Sequence, residues 1–350
     1  MTAAVFAATL GGAQAAIWTG GGDGTSYEQD LNWDVVEAFP GSTRDINGAF
    51  TVTRAVDTNT NRTFVNGGAV LNVTAGNHDD SQSGAGIFNF VGDGSAGTTN
   101  LSGGVYAIGH GLRIGGGNEF SDGAFHVTGG ELSVYRDANS SITPGNPAGR
   151  SSIQVGGQVA GSSGVFEVSG GSVVSRFGAH VGSTGVFSVV GSGATSINIG
   201  NNINGDGDWI TRAGSLLKAS IDAGGLTPIM VNDNADDGAG ITVEIEDGSL
   251  LDLSFSGIAP VAGTWTVLVA ENADIEWNSA TGTGVGGIGG VTGYTLGLAL
   301  SPSTAPGWSF AVDNSGANGL LTATYAVPEP SSLALLMLGG LFALQGRRRS

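Results

Sequence analysis

Apolar and polar residues alternate in short runs that recur between residues 70 and 200. Phe125, Phe166 and Phe187 each stand in a Gly-x-Phe-x-Val run, and they lie 41 and then 21 residues apart. Alternation with a period of two is typical of a β-strand that buries one face. Such strands, recurring about every 20 residues without a helical pattern, indicate a β-helix with stacked coils. We therefore expect the phenylalanines to form a ladder in its interior.

Pairs of glycines follow these runs, at residues 129–130 and again at 170–171. Glycine adopts a positive φ at little cost, which suits a tight bend between two strands. We expect the pairs to turn the chain at the corners of the coils. A flat antiparallel sandwich would also give alternating runs, but it would not give repeats in phase, so the sequence favours the β-helix.

The phenylalanine repeat ends near residue 200, although strand-like runs continue at residues 241–245, 265–270 and 320–325. Two architectures remain open for this part: the β-helix continues with irregular coils, or a small β-sandwich caps it. The prediction for the chain is an all-β fold, with a parallel β-helix over residues 17–200 and C-terminal strands or a cap over residues 201–326.

Composition narrows the function classes. The 350 residues include 64 glycines and no cysteine, and only 12% are charged. A formal net charge of −18 repels nucleic acid and anionic lipid, so DNA and RNA binding are excluded. The lack of cysteine excludes a disulfide framework, a thiolate metal site and a cysteine nucleophile. An apolar fraction of 40% is too high for a disordered chain.

Residues 1–16 are mostly apolar and contain Ala13-Gln14-Ala15, a small-x-small pattern that fits a signal-peptide cleavage site. We therefore predict part of a secretory signal peptide here, without its basic first region. A buried first strand is the alternative interpretation.

The next stretch carries Trp18, Tyr27 and Trp33, spaced through glycine-rich turns. It resembles the first coil of secreted bacterial β-solenoids related to autotransporter passengers. The end of a coil stack exposes its core and its strand edges, so we expect these aromatic rings to cover it.

The last 24 residues, 327–350, combine a proline break, a short apolar run and a basic end. The prolines stop the preceding fold. The apolar run covers only residues 333–344, whereas a helix needs roughly 20 residues to span a bilayer. The arginines would keep the end of the chain on the cytoplasmic side. The residues that carry this pattern are Val327, Pro328, Glu329, Pro330, Arg347, Arg348 and Arg349.

This arrangement resembles the PEP-CTERM sorting signal of Gram-negative bacterial surface proteins. The resemblance implies export, transient insertion of a short C-terminal hydrophobic helix into the inner membrane, and processing by an exosortase-type enzyme. The expected destination is the cell surface, the outer membrane or the extracellular matrix. An ordinary C-terminal membrane anchor is the alternative.

Asp79-Asp80, together with Gly109-His110-Gly111, is the strongest candidate for catalysis. The local sequence is similar to pectin-degrading glycosidases of the β-helix fold, which carry an acidic pair and a GHG turn. Two carboxylates about 6.5–9.5 Å apart could act as acid and base in an inverting hydrolysis. The other motifs of those enzymes are missing. We therefore expect two polar turn residues and a histidine at a coil corner, and we assign no catalytic residue.

Other chemistry has weaker support. A polysaccharide lyase needs a basic residue at the substrate, and Lys218 is the only lysine of the chain. The four histidines are isolated in sequence, so no zinc site is expected; His126 should point outward from its strand. We expect no cofactor except, as the one candidate, Ca²⁺. Residues that could supply oxygen ligands alternate as in a calcium loop at Asn202, Asn204, Asp206 and Asp208. Ordinary turns use the same residue types.

The sequence thus predicts an exported cell-surface or extracellular-matrix protein with a structural or adhesive role, associated with exopolysaccharide and without enzymatic activity. The alternative is a β-helix enzyme that degrades polysaccharide, as a glycosidase or a lyase.

Overall fold

The computed structural model describes residues 16–29, 32–34, 43–60, 62–80, 88–109, 111–115, 121–134, 153–157, 161–175, 178–200, 208–232, 242–278, 284–285 and 298–327. Every regular element in these ranges is a β-strand. The strands are β1 Ala16–Ile17, β2 Thr43–Asn47, β3 Thr51–Arg54, β4 Thr58–Asn59, β5 Arg62–Asn66, β6 Ala69–Val73, β7 Asn77–Asp80, β8 Asn89–Val91, β9 Ala96–Leu101, β10 Val105–Ile108, β11 Leu112–Ile114, β12 Asp122–Val134, β13 Ile153–Val155, β14 Ser163–Ser175, β15 Gly178–Val181, β16 Gly185–Val190, β17 Ala194–Ile199, β18 Asp208–Thr211, β19 Leu216–Ile221, β20 Ile229–Val231, β21 Thr242–Glu246, β22 Leu250–Phe255, β23 Gly263–Ala270, β24 Ile275–Asn278, β25 Gly284–Val285, β26 Ala299–Leu300, β27 Trp308–Asp313 and β28 Gly319–Tyr325.

The strands stack in parallel on three faces, because each strand pairs with its counterpart one coil away. The first face contains β2, β5, β8, β11, β13, β15, β18, β21 and β24. The second face contains β3, β6, β9, the first halves of β12 and β14, then β16, β19 and β22. The third face contains β4, β7, β10, the second halves of β12 and β14, then β17, β20 and β23. The predicted all-β, mostly parallel architecture is confirmed.

Glycines turn the chain between the second and third faces. Gly104, Gly130 and Gly171 occupy equivalent corners, with φ values of 73°, 72° and 66°. A Cβ on Gly130 would lie 2.6 Å from the carbonyl oxygen of Gly104, and one on Gly171 would lie 2.4 Å from that of Gly130. Both the positive φ and the closeness of the neighbouring coil therefore require glycine at these corners, as the repeated glycine pairs predicted.

The interior of the middle coils is a column of aromatic rings. Tyr106, Phe125, Phe166, Phe187 and Trp209 are all buried, and consecutive ring centroids lie 6.3, 5.8, 5.0 and 4.9 Å apart. Each fully buried phenylalanine contributes about 2–3 kcal/mol from the hydrophobic effect. The phenylalanine ladder predicted from the repeat is therefore part of the core.

The aromatic residues of the first coil cover its end, as expected from the sequence. Trp33 packs edge-on against both Trp18 and Tyr27, at centroid distances of 5.1 and 5.2 Å, and all three rings are buried. Trp33 also packs under the guanidinium of Arg44, which lies 4.6 Å from the ring centroid. The predicted signal peptide falls on residues 1–15, outside the described part of the chain, and on Ala16, which begins β1.

Parallel stacking continues beyond residue 200. Strands β18 to β24 extend all three faces, and an antiparallel hairpin of β27 and β28 then joins the edge of β23. Of the two architectures that the sequence left open, the described residues show a continuing coil stack that ends in an antiparallel hairpin. The predicted sorting helix lies outside them.

Candidate functional site

The outward side chains of the second face form two straight columns, because the parallel register repeats from coil to coil. The apolar column consists of Val70, Thr98, Ala124, Val165, Val186, Leu216 and Leu250. Two residues further along each strand, the polar column consists of Asn72, Asn100, His126, Glu167, Ser188, Lys218 and Asp252. The constant register therefore gives this face a regular outer surface over these seven coils.

Neighbours in the polar column contact one another. His126 Nδ1 lies 3.6 Å from Glu167 Oε1, and Lys218 Nζ lies 3.9 Å from Asp252 Oδ2. The side chains of His126, Glu167 and Lys218 are 31%, 37% and 45% exposed, whereas that of Asp252 is 16% exposed and Ser188 is buried, so these contacts form partly in solvent. His126 points outward, as its position in the alternating run predicted. Such exposed pairs contribute little to stability, typically less than about 1 kcal/mol, and their charges remain available to a partner.

The acidic pair proposed for catalysis is placed differently from the prediction. Asp79 and Asp80 do not lie in a turn: they end strand β7, where alternation directs Asp80 inward. The prediction of two turn residues is therefore wrong. Asp80 is completely buried, and its carboxylate accepts hydrogen bonds from both terminal nitrogens of Arg54, at 2.8 and 3.3 Å.

Three hydroxyl groups complete the shell around this carboxylate. Thr60 Oγ1 donates to Asp80 Oδ1 at 2.5 Å, and Thr63 Oγ1 and Tyr106 Oη donate to Oδ2 at 2.9 Å each. Five donors from four neighbouring residues therefore converge on two oxygens. A carboxylate held in this way has its lone pairs occupied, so it can neither approach a substrate nor take up a proton readily.

The guanidinium of Arg54 links this shell to His78. Arg54 Nε donates to Thr58 Oγ1 at 2.5 Å, and Thr58 Oγ1 lies 2.9 Å from His78 Nδ1. His78 Nε2 lies 2.6 Å from the carbonyl oxygen of Ala75. The carbonyl needs a donor, so Nε2 carries the proton, and Nδ1 accepts from the threonine. A neutral histidine satisfies both contacts.

The pKa values follow from these contacts. Burial alone would raise the pKa of Asp80, but the charge and hydrogen bonds of Arg54 hold this pKa below its ordinary value. Burial opposes the charge of Arg54, whereas the Asp80 carboxylate raises the pKa of that guanidinium. Burial and then the Arg54 charge lower the pKa of His78 to about 4. This cluster is a buried structural ion pair, kept charged by its own partners.

The remaining candidates are distributed as follows. His110 lies outside the described residues, so its expected place at a coil corner stays a prediction. Lys218 pairs with Asp252 on the second face. His180 is buried, and its Nε2 accepts from Arg212 Nε at 3.2 Å.

The calcium candidate falls almost wholly outside the described residues. Asn202, Asn204 and Asp206 are not described, and of Asp208 only the backbone is, at the start of β18. Among the side chains that the structure does describe, no three His, Asp or Glu residues cluster closely enough to hold a metal ion. Calcium binding stays a prediction.

Sequence reasoning missed the buried ion pair. A signal was present in β3, where Thr51-Val52-Thr53-Arg54 alternates so that Arg54 shares the inward face with Val52. An inward arginine in a strand demands a buried counter-ion. The position of that counter-ion, 26 residues further on, could not be read from the sequence.

The C-terminal candidate begins where the coil stack ends. Strand β28 ends at Tyr325, and Val327, the last described residue, is 53% exposed. The remaining sorting residues, Pro328, Glu329, Pro330, Arg347, Arg348 and Arg349, lie outside the described part of the chain. In the residues that are described, no helix has the length and apolarity to cross a membrane.

Comparison with known proteins identifies this last segment. Residues 326–349 match the family model of the PEP-CTERM protein-sorting motif. The match indicates an exported bacterial protein that is sorted to the cell surface and has an exosortase-type processing enzyme as a partner. No curated protein and no solved structure gives a significant match to the chain.

Proposed function

We propose that this protein is a structural or adhesive rod at the surface, or in the extracellular matrix, of a Gram-negative bacterium, where it associates with exopolysaccharide. One observation carries the proposal: a sorting motif directly follows a coil stack whose outer face is a regular array of side chains. In this arrangement the C-terminal sorting motif directs the protein to the cell surface, and the coil stack provides an extended surface for binding.

A regular surface suits weak contacts with a polymer. Neighbouring coils are about 4.8 Å apart, so equivalent side chains recur at a fixed short spacing along the rod. A repetitive ligand can contact several coils at once, and many weak contacts then give useful avidity without a deep pocket. Outward residues such as Asn72 and Asn100, whose side-chain amides hydrogen-bond to each other at 2.9 Å, offer the polar groups that sugars require.

The alternative, a polysaccharide-degrading enzyme, needs an accessible carboxylate pair or a basic residue beside calcium-binding acids. Asp80 is fully buried and bound by Arg54, which counts against its use as an acid or base. The structural role is therefore the better supported of the two.

The test examines sorting to the cell surface and degradation of polysaccharide separately. The full chain is expressed in a bacterium that has an exosortase, beside a variant with Pro328→Ala and Pro330→Ala. We expect the parent chain in the surface or matrix fraction and the variant retained in the membrane fraction. The parent chain is then applied to a polysaccharide array and scored for retention and for released sugar ends. Retention without release supports the rod; release that is lost with His110→Ala would instead establish an enzyme.

A further inference from the structure

The polar column of the second face carries charges in an unusual order. From β12 to β22 it reads His126, Glu167, Ser188, Lys218 and Asp252. When the column is read in the reverse direction, a base stands wherever the forward order has an acid, and an acid stands wherever it has a base. Ser188 keeps its place in the middle. A surface with this property is complementary to its own reverse.

We propose that the second face is a homophilic interface, in which two copies of this chain dock face to face with their coil stacks antiparallel. A two-fold axis that runs along strand β16 generates this arrangement. The axis reverses the order of the coils but keeps the position along each strand, so the polar columns of the two copies face each other, and so do the apolar columns. The interface is isologous, as in most homodimers.

The register places opposite charges together. With the axis at Ser188, Glu167 of each copy faces Lys218 of the other. His126, which is charged only when it is protonated, faces Asp252. In the apolar column, Val186 faces its own copy, and Val165 faces Leu216. Sheets that pack face to face lie about 10 Å apart, a distance that these side chains can bridge.

The surroundings of the face favour such docking. The turns that lead from the second face to the third are three residues long at 74–76, 102–104 and 191–193, and seven residues long at 222–228 and 256–262, so no turn on that side is longer than seven residues. The polar column carries one lysine, one histidine and two acids, whereas the whole chain has a net charge of −18. Self-repulsion is therefore weaker on this face than the net charge suggests.

The expected dimer is weak in dilute solution. The five coils from β12 to β22 that face each other across the axis span roughly 19 Å, and five residues of each strand span roughly 17 Å. The face would therefore contribute on the order of 300 Å² per copy, below the size of stable interfaces. Tethering on a surface raises the local concentration to the millimolar range, where such contacts are populated. Because the two coil stacks are antiparallel, their C-terminal ends lie at opposite ends of the dimer. A contact between two cell surfaces that face each other requires this arrangement.

The first test is a charge swap in the purified full chain, measured by sedimentation velocity up to millimolar concentration. Lys218→Glu places two carboxylates opposite each other twice in the dimer, and we expect at least about tenfold weaker association. Glu167→Lys alone should weaken it similarly. The double variant restores opposite charges across the interface, so its association should return towards that of the parent chain. Thermal unfolding serves as the folding control.

The second test uses the absence of native cysteine. Val186→Cys lies on the axis, so a short bis-maleimide should link two copies through it. Asn100→Cys lies on the same face three coils away, and Asn198→Cys lies on the third face; neither should form the link. A chain that stays monomeric at millimolar concentration, a double variant that fails to recover, or equal cross-linking at all three positions would overturn the proposal. None of these outcomes depends on polysaccharide binding, so the rod function could stand without it.

Discussion

The interior of the coil stack changes character along its axis. Around β3 to β7 it holds the Arg54–Asp80 pair and its ring of hydroxyl groups, whereas from β12 to β18 it holds a column of phenylalanines that ends in Trp209. Tyr106 belongs to both regions, since its hydroxyl donates to Asp80 and its ring stacks on Phe125. The same coil geometry therefore accepts either interior, but the two respond differently to change.

The polar interior depends on specific hydrogen-bond partners, because each donor there is buried and cannot hydrogen-bond to water instead. Replacing one member leaves the others buried and unsatisfied, which costs about 3–5 kcal/mol for a buried ion pair. The aromatic interior depends on volume and shape, and a substitution that preserves most of the volume usually costs less than about 1.5 kcal/mol. Shape-conserving substitutions should therefore separate the two regions.

The largest effect is expected for Asp80→Asn. The amide keeps the shape but removes the negative charge opposite Arg54 and turns one acceptor into a donor that faces existing donors. We expect a loss of about 3–5 kcal/mol in the free energy of unfolding, with the N-terminal coils opening first. Urea unfolding followed by hydrogen exchange would measure both. A partial recovery in Arg54→Met with Asp80→Leu would show that the unpaired charge is the cause.

A smaller loss of stability is expected when a corner glycine is replaced, and the loss should be equal at corners of the two regions. Gly104→Ala and Gly171→Ala each force a side chain into positive φ and against a carbonyl oxygen, at 2.3 and 2.4 Å. We expect each to reduce the free energy of unfolding by about 2 kcal/mol. Similar losses would show that the corners are equivalent although the interiors differ; a loss at only one corner would contradict this.

Acidification should weaken the polar region through His78. Its pKa in the folded chain is about 4, below the ordinary 6.5, so the unfolded chain takes up a proton that the folded chain excludes. Stability is then complete above pH 6.5 and declines as the pH falls towards 4, by on the order of 2 kcal/mol. His78→Asn should remove this part of the pH dependence. The part that persists includes His180, whose pKa is also lowered to about 4 by burial and by Arg212, and Asp80, whose pKa also lies below its ordinary value.

The smallest loss is expected for Phe166→Leu in the aromatic column. Leucine keeps most of the volume, and the stacked neighbours Phe125 and Phe187 can close part of the gap, so we expect about 1 kcal/mol. The same unfolding experiment measures it beside Asp80→Asn. If the leucine variant loses as much as the asparagine variant, the contrast between the two interiors is wrong.

Local sequence determined much of this architecture. The alternating runs around Phe125 and Phe166 fix which side chains point inward, because a strand has a period of two. The glycine pairs fix the corners, because only glycine tolerates positive φ beside a neighbouring coil. The C-terminal segment was identifiable because its proline break, apolar run and arginines are contiguous.

Tertiary structure decided the features that join distant residues. Arg54 and Asp80 are separated by a complete coil, and only the stacking register brings the guanidinium to the carboxylate. The order of charges from His126 to Asp252 likewise exists only on the folded face, since insertions of unequal length separate these residues in the chain. Sequence determines the local geometry of a coil, but the register between coils is a long-range packing result, and it decides which side chains meet.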